Sequence, residues 1–220
     1  MNNNLLQLYR NIKPSLYKKI YKNRFHIIDN GQHNTFAIEA NNHIIGHCPM
    51  TIRKGCHNHI AIGKNGKFNQ LKIDIDGNHN TVNIADEVKF SGHLLIVGDN
   101  LHIKIAAKTT AIDCYILARD KSVNIGSECM ISRGIEIRAT DVHKVYDLQT
   151  KQRLNHATTD IHIGDHVWIA ANVTISKNVH IADGCIVAAG AFVNKPVHTP
   201  NCLIAGTPAK IVKTGIYWER

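Results

Sequence analysis

Fifteen histidines dominate the side chains able to do chemistry in this 220-residue chain. A neutral imidazole is a competent general base near pH 7, because its ordinary pKa of about 6.5 leaves it mostly unprotonated. One group lies in "TDVHKVYDLQTKQRLNHATTD", residues 140–160, where His143 and His156 stand among Asp141, Lys144, Tyr146, Lys151 and Arg153. A second is the set of His-Asn pairs at 33/34, 57/58 and 79/80. Three imidazoles in a column suggest a metal site, but each pair follows a turn glycine, where an asparagine ladder with an exposed histidine neighbour is structurally sufficient. No metal is expected. Six cysteines, at 48, 56, 114, 129, 185 and 202, form no Cys-x-x-Cys pair and are read as buried free thiols.

The elements that must position these groups follow from a period of six. Ile163, Ile169, Ile175, Ile181, Val187 and Val193 open consecutive hexads, and Val167, Val173, Val179, Cys185, Ala191 and Val197 follow each by four. Six matches neither a helix nor a simple alternating strand, so the segment is a repeat and predicts a parallel β-helix. Three hexads make a triangular coil of about 18 residues, with the opening aliphatics pointing into a narrow interior. Next to each aliphatic stands Gly164, Ala170, Ser176, Ala182, Ala188 or Asn194, small or tolerant of a left-handed backbone as a tight corner requires. Upstream, "GQHNTFAI", "GCHNHIAI" and "GNHNTVNI" begin at 31, 55 and 77, and "GDNLHIKI" at 98 keeps the ends of the pattern. Cys129 and Cys185 fall on core positions. Strict hexads at Ile125, Ile131 and Ile137 stop before residues 140–160, which read as a polar loop thrust out of the prism; such loops are usually functional. The spacing itself does not fix the handedness of the coil.

The length suits one domain, and aromatic content of 6% suits a narrow prism filled with Ile and Val. The formal charge is +9, and residues 1–28 hold Arg10, Lys13, Lys18, Lys19, Lys22 and Arg24 with neither Asp nor Glu. This arm reads either as a solvated basic helix on the first coil or as a contact for a polyanion or a peripheral membrane surface. No apolar run is long enough to span a bilayer, the start lacks the order of a signal peptide, and a cytoplasmic location is expected. Neither a nucleotide-cradling glycine motif nor a nucleic-acid partner is expected.

The stretch "IHIGDHVWIAANVTISKNVHIADGCIVAAGAFVNKPVHTPNCLIAGTPAKIV", Ile161 to Val212, resembles the hexapeptide-repeat acyltransferases, down to the Ala-Gly-x-Pro-Ala-Lys turn at Ala205 to Lys210. The loop and the coil after it are similar to the acetyltransferases of polysaccharide-synthesis loci, with the polysialic acid O-acetyltransferases the nearest pattern. The resemblance implies an all-β, left-handed parallel β-helix over 27–204; the residues on either side read as a basic helical arm over 1–26 and a short, helical tail over 205–220. It implies a homotrimer, acetyl-CoA as donor, and direct transfer without an acyl-enzyme. His143 is then the general base, and Trp168 holds the donor arm or acceptor. Ala170, Ala188 and Ala205 form the corner column along which the pantetheine lies, and Lys195 and Lys210 stand at its phosphate end. Ala at 170 and 188 departs from the Gly usual in the family. Asp141 is a candidate to orient His143, with His156 and His166 as the next bases. The charge of the arm and of Lys144, Lys151 and Arg153, with Tyr146 beside them, points to an anionic capsular or other surface polysaccharide. An N-acetyltransferase acting on an amino-sugar nucleotide, a non-catalytic trimeric scaffold and the zinc hydratase branch of the same fold are the alternatives.

Overall fold

The computed structural model describes residues 24–220, and the basic arm before Arg24 lies outside the described residues. From Phe25 onward the chain winds as a left-handed parallel β-helix of about eight turns, with no helix among the described residues. The first wall is a single sheet of seven parallel strands: Thr35–Ile38, His59–Ile62, Thr81–Ile84, His102–Ile105, Val123–Ile125, Ile161–Ile163 and His180–Ile181. Trp168–Ile169 and Ile186–Val187 belong to the second wall, and Thr174–Ile175 and Phe192–Val193 to the third. In earlier coils Lys89–Val97 and Thr110–Arg119 turn the corner between these two walls as continuous strands.

Register explains the period. Thr35 pairs with His59 and His59 with Thr81, whereas Ile163 pairs with Ile181, so the early coils are longer than the strict later ones. All six hexad-opening aliphatics are buried, and so are their partners four residues on, Cys185 among them; Cys129, four residues after Ile125, is buried as well. Ile, Val and Leu fill most of the prism, with Met50, Phe68 and Phe90 in the wider early coils. Each such side chain, fully buried, contributes about 1.5–3 kcal/mol.

The corners are built differently from the simplest reading of the hexad. Left-handed backbone occurs at His166, Asn172, Asn178, Gly184 and Gly190, three residues after each of the first five aliphatics rather than one. Gly164 is small for another reason: a Cβ there would meet the Asp183 carboxylate at 2.2 Å and its backbone nitrogen at 2.8 Å in the next coil. The predicted helical tail is also absent. Cys202–Gly206 continues the second wall, Ala209–Thr214 folds back on it antiparallel, and the last residues lie along the corner of the earlier coils.

The Gly-x-His-Asn repeat joins the third wall to the first. A Cβ on Gly31 would sit 1.9 Å from the Gly55 carbonyl oxygen, and one on Gly55 would sit 1.8 Å from that of Gly77. Only glycine allows the coils to close to that spacing. The asparagines then run as a ladder: the Asn58 amide donates to Asn34 Oδ1 at 3.1 Å and to the Gly77 carbonyl at 2.8 Å, and Asn80 N–H donates to Asn58 Oδ1 at 2.9 Å. Asn58 and Asn80 are fully buried, and every buried side-chain polar atom among the described residues is paired.

Asn58→Ala therefore strands a carbonyl and an N–H inside the stack. We expect a loss of about 1–3 kcal/mol in urea unfolding, and an unchanged midpoint would refute the ladder's structural role.

Candidate active site

The polar loop leaves the prism after Ile135–Arg138 on the third wall and returns at Ile161–Ile163 on the first. It thus replaces a corner. Its body is a short finger: Tyr146 and Arg153 pair antiparallel, Leu154 N–H donates to the Val145 carbonyl at 2.8 Å, and Asp147 caps the tip by accepting from the N–H groups of Gln149 and Thr150. The apolar side chains of Val145, Leu148 and Leu154 are exposed along it.

Asn155 clasps the root of the finger. Its amide donates to Asp141 Oδ2 at 2.9 Å and to the His143 carbonyl at 2.8 Å, while its Oδ1 accepts from Val145 N–H at 2.8 Å. Lys177, one coil further on, donates to the same Asp141 oxygen. Asp141 is thereby committed to Lys177 and Asn155 through its side chain, and meets His143 through its backbone, whose carbonyl accepts the His143 N–H at 2.7 Å. The His143 ring is exposed and holds no hydrogen bond among the described residues. Beside the root opens a groove of about 530 Å³ lined in part by Asp141, Thr159, Ser176, Lys177, Phe192 and Asn194. Of the basic residues read from the loop, Lys144 and Lys151 are exposed, as is Tyr146. Arg153 instead ties the finger to the prism, 3.7 Å from Asp120 and 3.3 Å from Asn155 Oδ1.

Trp168 stands at the start of the second wall, in register with Met130 and Ile186. It is half-buried, with its ring tilted against Trp218 at 6.0 Å. Trp218 lies flat on His166, 4.1 Å between ring centres, and the two exchange hydrogen bonds with each other's backbone carbonyls at 3.1 and 3.0 Å. His166 is thus engaged in docking the tail. Ala170, Ala188 and Ala205 follow the register-matched Ile169, Val187 and Ile204 and form one column between the second and third walls. The N–H groups of Ala170 and Ala188 donate to Val187 and Ile204 at 2.9 and 2.8 Å, so they already serve the stack. Lys210 is exposed on the strand paired with Ala205, and Lys195 is exposed past Phe192–Val193, beyond the third wall. One chain brings Trp168 together with the alanine column. His143 is held at a different corner.

Burial pushes the Cys129 thiol up to about 11 and the Cys202 thiol up to about 12, and it raises Cys48 and Cys114 as well, so these are poor nucleophiles. Asn155 and Lys177 escaped the sequence reading. Asn155 lies in the loop but gains its role only when the finger folds, and Lys177 sits at an ordinary outward position of a hexad.

A family described as bacterial transferase hexapeptide (six repeats) matches residues 160–195. The chain is 47% identical over 167 residues to a polysialic acid O-acetyltransferase of Neisseria meningitidis, covering 76% of this chain and 77% of that one. It also superposes on the polysialic acid O-acetyltransferase OatWY, with a TM-score of 0.81, 36% identity, and coverage of 88% of this chain and 91% of that one. On the polySia-specific acetyltransferase NeuO the TM-score is 0.80 and the identity 31%, covering 89% of each chain. Prism, hexads and protruding loop together define a hexapeptide-repeat acyltransferase. Within that class, the chain belongs to the family of the polysialic acid O-acetyltransferases and is an O-acetyltransferase.

The clasp has a defined pH response. Burial pushes the Asp141 carboxyl up, but hydrogen bonds from Lys177 and Asn155, with the charges of Lys177 and Arg153, outweigh it and leave the group below the ordinary carboxylate range. A depressed pKa contributes stability that is present above the unfolded value and lost as pH falls through the folded one, so the clasp holds from neutral pH down to about 5. Hydrogen exchange should find the Val145 amide equally protected over that range once intrinsic rates are allowed for. Asn155→Ala should remove the protection and lower kcat by roughly 10²-fold while the unfolding midpoint stays put; full activity in that variant would dismiss the clasp.

Proposed function

We propose that the protein transfers the acetyl group of acetyl-CoA to a hydroxyl of polysialic acid, an anionic capsular polysaccharide, with His143 as general base. The observation that carries this reading is the kinship with polysialic acid O-acetyltransferases over three quarters of the chain. The exposed imidazole of His143, fixed through its backbone by Asn155 and free of competing bonds among the described residues, supports the role of the base. In the reaction a neutral ring nitrogen takes the hydroxyl proton as the oxygen attacks the thioester carbonyl carbon. The tetrahedral intermediate collapses with cleavage of the C–S bond, and the imidazolium returns the proton to the departing thiolate. Trp168 and the column of Ala170, Ala188 and Ala205 hold the donor arm, with Lys195 and Lys210 toward its phosphates. Lys144, Lys151 and Tyr146 meet the acceptor.

The separation of His143 from the donor column within one chain favours a homotrimer, in which the loop of one copy faces the second wall of the next. The exposed Val145, Leu148 and Leu154 would be covered in such an arrangement. A complete site then needs two chains.

Purified protein given acetyl-CoA should release thiol in the presence of polysialic acid and not with a neutral glucan, and the KM for the polymer should rise with salt. His143→Ala should lower kcat by roughly 10² to 10⁴. Trp168→Ala should raise the KM for acetyl-CoA or lower kcat with assembly intact. Near wild-type turnover in the histidine variant would unseat the base, and a stable 24.5 kDa monomer in light scattering would unseat the shared site. An acetyl adduct found by intact mass after acetyl-CoA alone would replace direct transfer with a covalent route.

A further inference from the structure

In the Gly-x-His-Asn repeat, three of the four positions are used by the fold. The glycines let the coils close, and the asparagines form the buried ladder. The second position ties backbone to side chain of the next coil, since Cys56 N–H donates to Asn78 Oδ1 at 3.0 Å and Asn78 N–H to Asp99 Oδ1 at 2.7 Å. His33, His57 and His79 differ. Their left-handed backbone, φ of 54°, 56° and 55°, is one that later coils assign to Asn172, Asn178, Gly184 and Gly190. Corner geometry alone is thus met without an imidazole. Yet three successive coils place one there, exposed, with rings stacked at 5.2 and 5.1 Å and interplanar angles of 14° and 10°.

This column stands at the corner between third and first walls, the same corner that the loop bearing His143 later replaces. Three coils separate His79 from the root of the loop and five separate His33 from it, or about 14 and 24 Å at roughly 4.8 Å per coil. The stacked rings cover one another's faces and turn their edges outward. A ring N–H is available to a hydroxyl or carboxylate whether the imidazole is neutral or charged. Nearby carboxylates are largely engaged: Asp76 lies 3.3 Å from Lys54, and Asp120 accepts from Thr140 at 2.8 Å and lies near Arg153, while Asp99 accepts from Asn78.

We propose that His33, His57 and His79 form a track for the acceptor polymer, distant from the transfer site and leading to it along one corner of the prism. This rests on the reading of the protein as a polysialic acid O-acetyltransferase. An extended anionic glycan engaged at the loop reaches the ladder only if it spans about 14 Å or more, so the track acts on long chains and leaves short ones alone. Each imidazole adds a weak contact, and a tethered series raises the local concentration of hydroxyls at His143 without touching the reacting atoms.

The test is the triple variant His33→Asn, His57→Asn, His79→Asn, which keeps residues suited to the left-handed corner. Steady-state kinetics would be measured with long polysialic acid and with a trimer of sialic acid. We expect the KM for the long polymer to rise about ten- to a hundredfold, with kcat, the KM for acetyl-CoA and the rate on the trimer unchanged. Addition of the polymer should also shift the imidazole proton resonances of these three residues in the wild-type protein. An unchanged KM for the polymer, or an equal loss on the trimer, overturns the track while leaving the acetyltransferase reading intact. Failure of the wild-type protein to acetylate polysialic acid of any length overturns that reading, and the track with it.

Discussion

Each coil hydrogen-bonds to the next in parallel register, and the rest of the molecule follows from that stacking. A strand in such a prism has neighbours only above and below, so its backbone is satisfied if consecutive coils keep one spacing along their whole perimeter. Side chains at the corners are therefore limited to what that spacing permits. Gly31, Gly55 and Gly164 stand where a Cβ would collide with the next coil, and Asn58 and Asn80 stand where an amide can bond to the coils on both sides. The aliphatic interior supplies the driving force, and the corners set the register.

The same constraint makes departures from the repeat informative. The wall has no room for an irregular segment, so the loop after Arg138 must leave it, and once outside it requires its own supports. Asn155 and Lys177 provide them, the first within the loop and the second from the succeeding coil. The exposed imidazole of His143 is held by its backbone, with Asp141 spent on the clasp. At the other side of the first wall, Trp218 locks the chain end onto His166 and brings an indole beside Trp168. Loop and tail are thus docked onto a rigid prism by few, local and polar or aromatic contacts.

Charge and hydrogen bonding are divided along the same lines. The buried asparagine column is saturated, whereas the adjacent histidine column is exposed and used only for stacking. Residues whose side chains the fold consumes and residues whose side chains it leaves over alternate within a single four-residue repeat. That alternation is why a solenoid can carry binding groups along its length without loss of regularity.

The sequence by itself determined the prism, its interior and the place where it is interrupted. A period of six with aliphatics at fixed positions specifies a triangular coil, though not its hand, and burial of every predicted core residue from Ile163 to Val197 follows from local spacing alone. It also indicated that the His-Asn repeats form an asparagine ladder, because the ladder needs only identical residues in successive coils. Tertiary structure decided what spacing cannot carry. The left-handed corner lies at His166 and Asn172 rather than at Gly164 and Ala170, because the collision that requires small residues comes from the next coil and not from the residue's own backbone. Arg153 and Asp141 became supports, and Asn155 and Lys177 gained roles, because these partners are 10 to 36 residues away and meet only when the loop folds onto the stack. The tail became a hairpin for the same reason: Ala209–Thr214 finds an open strand edge at Cys202–Gly206, and an edge exists only once the coils below it are built.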